Sequence, residues 1–211
     1  MYDSQPLFEA ILGGQAPLAR TLTEQALAAG VDPQDVIDRS MIPAMDEVGR
    51  RFENCEYFVP ELLISARAMK AALGLLRPRL AVQGAKPAGR VAIGTVRGDL
   101  HDIGKSLVGA MLEGSGFEVT DLGVDVPVER FVEAVTKEGV SIVALSALLT
   151  TTMPAMKAVI EALKDAGVRD RVRVMVGGAP LTARYAEEIG ADGFAPTATG
   201  AVTLARRLAQ A

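Results

Sequence analysis

Residues 91–106 read Val-Ala-Ile-Gly-Thr-Val-Arg-Gly-Asp-Leu-His-Asp-Ile-Gly-Lys-Ser. A short apolar run, Val91 to Val96, gives way to a loop through Gly98, and an apolar helical pattern starts near Gly104. This is a strand, a tight loop and a helix. His101, the only histidine in the chain, falls on the loop at the carboxyl end of the strand, where open α/β sheets hold their ligands. Asp99, just upstream, is placed to hydrogen-bond one ring nitrogen and leave the other free for a metal. Any His-dependent metal chemistry in this chain runs through this one residue.

The same alternation continues downstream. Short β-rich runs occur at 91–96, 118–122, 141–145, 172–176 and, weakly, 193–194, separated by helical patterns at 104–115, 128–138, 153–166, 182–189 and 197–208. Strands alternating with helices imply a doubly wound parallel sheet, and the size suggests the flavodoxin/Rossmann-like five-strand order 2-1-3-4-5. Upstream, residues 1–80 lack strand alternation and break at Gly13-Gly14, Gly30 and Pro60. Asp32-Pro33 reads as an N-cap followed by proline at the first helical position, and Pro43 is expected to kink or interrupt its helix. Leu62, Ala66, Met69, Leu73, Leu76 and Leu80 form a bundle seam. The spacing predicts helices near 5–12, 16–29, 33–53 and 60–80. The expected organisation is a four-helix bundle over 1–82, a linker over 83–90 (Gln-Gly-Ala-Lys-Pro-Ala-Gly-Arg) and an α/β domain over 91–211.

Bulk composition narrows the classes. The 211 residues are 49% apolar, enough for a real core, and the formal charge of −4 gives no electrostatic footprint for nucleic acid. One cysteine, Cys55, rules out an internal disulfide and suits a reducing cytoplasm. Neither a signal peptide nor an apolar run of about 20 residues is expected.

Several familiar motifs fail on the count. Five residues separate Gly98 from Gly104-Lys105-Ser106 where a phosphate loop has four, and Leu100, His101 and Ile103 are too bulky for a cradle of backbone amides. Gly94, Gly98 and Gly104 are too widely spaced for a dinucleotide fingerprint. A metal-dependent phosphohydrolase or a zinc site draws on several His or Cys ligands, and this chain has one of each. A phospho-acceptor receiver needs an Asp at the end of the third strand, where Ser146 stands.

The other strand ends carry small or hydroxyl-bearing residues: Ser146-Ala147-Leu148-Leu149-Thr150-Thr151-Thr152 after the third, Gly177-Gly178-Ala179 after the fourth, and Ala195-Pro196-Thr197 after the fifth. Helix capping by Thr151 or Thr152, and an ordinary turn at the glycine pair, are the plain alternatives. Together with His101 the set describes a deep, narrow slot lined by backbone and ending at an imidazole. It suits a long, thin ligand tail.

Asp99-Leu100-His101-Asp102-Ile103-Gly104, then Ser146-Ala147-Leu148 after 41 residues, then Gly177-Gly178 after another 28, resemble the D-x-H-x-x-G, S-x-L and G-G signature of the cobalamin-binding domain of methionine synthase and of small corrinoid proteins of methyl-transfer systems. Met41–Gly49 and Tyr57–Lys70 resemble the four-helix cap of the same proteins. Cys55 departs from the pattern, standing at a turn where Gly is more usual.

The resemblance implies a corrinoid cofactor, cobalamin or a relative in its methyl form, whose cobalt cycles between Co(I) and methyl-Co(III). It implies that His101 is the lower axial cobalt ligand, that Asp99 orients it, and that Thr152 continues the relay. Ser146 and Leu148 would lie against the nucleotide tail, with Gly177 and Gly178 letting it pass close to the backbone. Gly98, Asp102, Ile103, Gly104, Thr150, Ala179, Ala195 and Thr197 complete the cofactor-binding set, and Phe52 and Val59 of the cap would cover the methyl-bearing face. The linker at 83–90 is the expected hinge for cap motion. The protein is then a cytoplasmic methyl carrier rather than a complete enzyme, with partners in separate chains. These are a substrate-specific methyltransferase, a second methyltransferase serving tetrahydrofolate or a thiol, and a reductive activator. No nucleic acid and no membrane are involved. Residues 146–153 and 177–182 most resemble the methylamine and betaine branch, and methanol and aryl methyl ethers stay open as donors. A cobalamin-sensing regulator and the small subunit of a B12-dependent mutase share the motif. DNA binding would mark the first, and preference for adenosylcobalamin the second.

Overall fold

The computed structural model describes residues 2–82 and 88–210, which divide into two compact units. The first is helical: α1 (Gln5–Leu12), α2 (Ala16–Ala28), α3 (Pro33–Val36), α4 (Ile42–Glu53) and α5 (Val59–Val82), with a π-helical turn, Ile37–Met41, joining α3 to α4. The long helix α5 packs against α1, α2 and α4. Its predicted seam is buried at Leu62, Ala66, Met69, Leu73 and Leu76, and Leu80 is half-buried. Leu7 and Ile11 of α1, Met41, and Met45 of α4 are also fully buried. Each such side chain contributes about 1.5–3 kcal/mol. Ser65 of α5 donates its hydroxyl to the Leu12 carbonyl at 3.0 Å, satisfying an acceptor that the end of α1 leaves open.

Two sequence signals act as their chemistry requires. Asp32 caps α3, its Oδ1 accepting the Gln34 N–H at 2.8 Å. Pro43 has no N–H to donate and its ring clashes with the carbonyl four residues back. The chain meets this with the wider π turn immediately before it rather than a break, so 33–53 stays continuously helical.

The turn between α4 and α5 holds Cys55 in the left-handed region at φ +58, the conformation a glycine would take there. The thiol is exposed. A side chain in this region costs about 1–2 kcal/mol, partly offset by the extra unfolded-state entropy of glycine. Cys55→Gly is therefore expected to stabilise the helical unit by about 0.5–1 kcal/mol, raising its Tm by roughly 2–6 °C in calorimetry. A lowered Tm would refute the strain.

The second unit is a five-stranded parallel sheet in the order β2-β1-β3-β4-β5, the order expected from the sequence. The strands are β1 (Arg90–Thr95), β2 (Glu118–Asp121), β3 (Ile142–Ser146), β4 (Arg173–Gly177) and β5 (Gly193–Phe194). The crossovers are α6 (Ile103–Gly114), α7 (Val128–Glu138), α8 (Pro154–Asp165) and α9 (Ala183–Ile189), and α10 (Ala198–Ala209) follows β5. Phe131 of α7, Met156 and Ile160 of α8 and Ala186 of α9 pack on Ala92, Val143, Leu145, Val174 and Val176 of the strands, forming one apolar core. Alternate strand residues point to the opposite face. Of the linker expected at 83–90, residues 83–87 lie outside the described residues, and with them most of the expected hinge. Arg90 belongs to β1 instead, its backbone registered with Glu118 and its guanidinium bonded to the Glu118 carboxylate at 3.1 Å.

Candidate functional site

The strand order reverses between β1 and β3, and the loops leaving their carboxyl ends diverge there. The loop after β1 carries Asp99 and His101, and the loop after β3 carries Leu148, Leu149 and Thr152. Asp99 joins the two. It is fully buried. Its Oδ1 accepts from His101 Nδ1 at 2.7 Å and from the His101 backbone N–H at 3.1 Å. Its Oδ2 accepts from the Leu148 N–H at 2.8 Å, the Leu149 N–H at 3.4 Å and the Thr152 hydroxyl at 2.7 Å. Burial alone would raise the pKa of this carboxyl, but the Leu148 and His101 amides, the Thr152 hydroxyl and the His101 ring outweigh it and hold Asp99 well below the usual carboxylate range. An ionised Asp99 accepts at both oxygens. The bridging proton therefore sits on His101 Nδ1, and Nε2 is the ring nitrogen left to face a metal.

Thr152 Oγ also lies 2.8 Å from the Leu149 carbonyl. One hydroxyl proton serves one acceptor at a time, and the charged carboxylate is the stronger. Thr152 is not the cap of α8, whose N-cap is Met153 with no side-chain cap bond. Thr197 does cap α10, accepting the Gly200 N–H at 3.0 Å.

Next to His101 opens a cavity of about 570 Å³ between the sheet and helices α6 and α10. Ile93, Ala144 and Met175, paired across β1, β3 and β4, form its floor. Leu107 and Val108 of α6 and Ala198 and Ala201 of α10 close its sides. Of the residues singled out in the sequence, His101, Asp102, Ile103, Gly104, Ser146, Leu148, Gly177, Gly178, Ala179, Ala195 and Thr197 line it. Gly98, Thr150, Asp99 and Thr152 do not: Asp99 and Thr152 lie buried behind the ring, and Thr150 is exposed. Phe52 and Val59 belong to the helical unit, where Phe52 is half-buried and Val59 exposed.

The glycine pair shapes the wall. Gly178 has φ +138, and a Cβ there would fall inside the Ala147 carbonyl oxygen, while one on Gly177 would meet the Ala195 carbonyl at 3.2 Å. Around the mouth stand exposed apolar side chains, Leu100 (72%), Ile103 (79%), Leu148 and Leu149, a patch that marks a binding surface. Lys105, which gave the loop its likeness to a phosphate loop, bonds Asp121 Oδ1 at 2.5 Å and the Gly123 carbonyl at 3.4 Å and is committed to the fold.

The sequence reading missed the floor residues Ile93, Ala144 and Met175, although their place in the pleat opposite the core residues was a usable signal. It also missed Thr95, buried, whose hydroxyl donates to the His101 carbonyl at 2.8 Å.

Among the described residues no group of three or more His, Cys, Asp or Glu gathers to hold an ion. A metal held by His101 alone has to bring its other ligands with it. A flat apolar macrocycle with a trailing tail matches the exposed rim, the free Nε2 and the side-chain-free wall.

A model of the B12 binding domain matches residues 89–205, and a second B12 binding domain model matches residues 4–77. A trimethylamine corrinoid protein of Methanosarcina acetivorans is 43% identical over 94% of this chain and 93% of its own. The chain belongs to the corrinoid proteins of methylamine methyltransferase systems. A dimethylamine corrinoid protein of Methanosarcina barkeri is 42% identical over 97% and 96% of the two chains. Among solved structures, the methanol:cobalamin methyltransferase complex MtaBC of Methanosarcina barkeri superposes with a TM-score of 0.85, at 31% identity, over 97% of this corrinoid protein and 78% of that chain. No described helix of the corrinoid protein is long and apolar enough to cross a membrane.

Proposed function

We propose that this corrinoid protein carries a methyl group between two methyltransferases, with His101 Nε2 as lower ligand of the cofactor cobalt. When bound, the corrinoid supplies a cobalt that takes a methyl group from one partner and gives it to another, so that the methylated cofactor is the working form. The observation that carries the reading is the Thr152–Asp99–His101 chain, which holds the ring by Nδ1 and leaves Nε2 for the slot. Within it, Asp99 fixes the ring and its tautomer, and a small proton movement along the 2.7 Å contacts lets the imidazole adapt as its ligand's demand changes. Ser146, Gly177 and Gly178 accept the tail, and Leu100, Ile103 and Leu148 exclude water from the lower face. Phe52 and Val59 are assigned to the shielding of the methyl group. Methylated amines are the proposed donors, supported by the names of the relatives, with betaine next. A second methyltransferase serving tetrahydrofolate or a thiol and a reductive activator complete the partners, and the lone exposed thiol of Cys55 fits a cytoplasmic setting.

The test is anaerobic reconstitution with cobalamin, gel filtration and a visible spectrum, with His101→Ala alongside. The parent is expected to keep the pink cofactor with a nitrogen-ligated spectrum and to prefer methylcobalamin over adenosylcobalamin. His101→Ala is expected to show a base-off spectrum and to bind about 10–100-fold more weakly. A colourless parent overturns the reading.

A further inference from the structure

The loop that carries His101 is fastened at its start as well as along its side chains. Asp125, in the turn after β2, lies in the left-handed region at φ +51, which aspartate tolerates better than most residues. From there its Oδ1 accepts the Gly98 N–H at 2.7 Å, and its own N–H donates to the Asp99 carbonyl at 2.9 Å. The turn is itself locked to the end of β1: Thr95 N–H donates to the Gly123 carbonyl, and Val126 N–H to the Thr95 carbonyl, both at 3.0 Å. Asp125 is exposed, so its side chain fills no part of the core. What it does is hold Gly98 and Asp99, three and two residues ahead of the imidazole.

We propose that Asp125 is a positioning residue for the corrinoid site. It fixes the backbone of Gly98 and Asp99, and through them the ring of His101. Asp99 is thus gripped on two sides, its carboxylate by the loop after β3 and its main chain by the turn after β2. The proposal rests on His101 being the lower ligand.

Two substitutions separate side chain from backbone. Asp125→Gly keeps φ +51 without strain and deletes the acceptor for Gly98. Asp125→Asn keeps an acceptor, but an uncharged and weaker one. Reconstituted with hydroxocobalamin, the glycine variant is expected to lower the ratio of imidazole-ligated to base-off spectrum by about tenfold, the lower end of what outer partners of a metal ligand contribute. The asparagine variant should fall between it and the parent. In the apoprotein, hydrogen exchange at the Gly98 amide should speed up in the same order. An unchanged spectral ratio in Asp125→Gly overturns the proposal. Should that variant not fold, Asp125→Asn decides alone, with no shift counting against it. A parent without a nitrogen-ligated spectrum would instead sink the corrinoid reading, while exchange at Gly98 would still report whether Asp125 holds the loop.

Discussion

Replacing Asp99 with alanine is expected to destabilise the α/β unit by about 3–5 kcal/mol and to release the His101 ring. The carboxylate is fully buried, and both its oxygens are in use. Without it the partly buried Leu148 amide loses its acceptor, and an orphaned group of this kind costs roughly 1–3 kcal/mol when water cannot reach it. Thr152 suffers least, because its hydroxyl can turn to the Leu149 carbonyl 2.8 Å away. A urea titration of the apoprotein followed by circular dichroism reads the stability, and the cobalamin spectrum reads the ring. A loss below about 1 kcal/mol with an unaltered spectrum would contradict the role given to Asp99. The sign with pH follows from the depressed carboxyl. The unfolded chain takes up this proton first, near the ordinary value of about 4. The Asp99 contribution is therefore complete above that range and declines as pH falls toward the lower folded value. The alanine variant should lack this part of the acid transition.

Gly178→Ala is expected to cut cobalamin affinity on the order of a hundredfold, about 2.7 kcal/mol. The added methyl cannot be absorbed by a flexible neighbour, because it meets the backbone carbonyl of Ala147, with Leu181 a further 3.2 Å contact. The ends of β3 and β4 must part, and these ends are the wall proposed to receive the tail. Gly190→Ala is the matched control. Gly190 also has positive φ, at +80, but a Cβ there meets only Lys164 Nζ at 3.9 Å, and it does not line the cavity. Both variants should lose stability, and only Gly178→Ala should lose ligand in a spectroscopic titration. Equal affinities in the two would show that the wall is not shaped by Gly178.

The sheet and its strand order were legible because apolar runs alternated with helical patterns at regular distances, and even the two-residue β5 left a trace at Gly193-Phe194. His101, Asp99 and the glycine pair were legible because each is a residue type with few uses. Asp125 and Thr95 were not. An aspartate in a turn and a threonine at a strand end are common, and only their partners, 27 and 6 residues away, reveal what they do. The floor of the cavity was hidden for a different reason. Ile93, Ala144 and Met175 look like core until the structure shows that the face behind them is open.

The π turn at Ile37–Met41 bears on length rather than composition. Buried residues there recur in pairs, Val36-Ile37, Ser40-Met41, Ala44-Met45 and Val48-Gly49, a strict repeat of four. In a regular α-helix of about 3.6 residues per turn that stripe would wander around the axis by roughly 40° each turn and leave the interior. The wider turn takes up the surplus residue and returns Ala44 and Met45 to the face that holds Val36 and Ile37. An indel elsewhere in a helix rotates everything beyond it. Here the chain already carries one residue more than an α-helix needs, in the one place where gaining or losing it leaves the inward face of α4 pointing the same way.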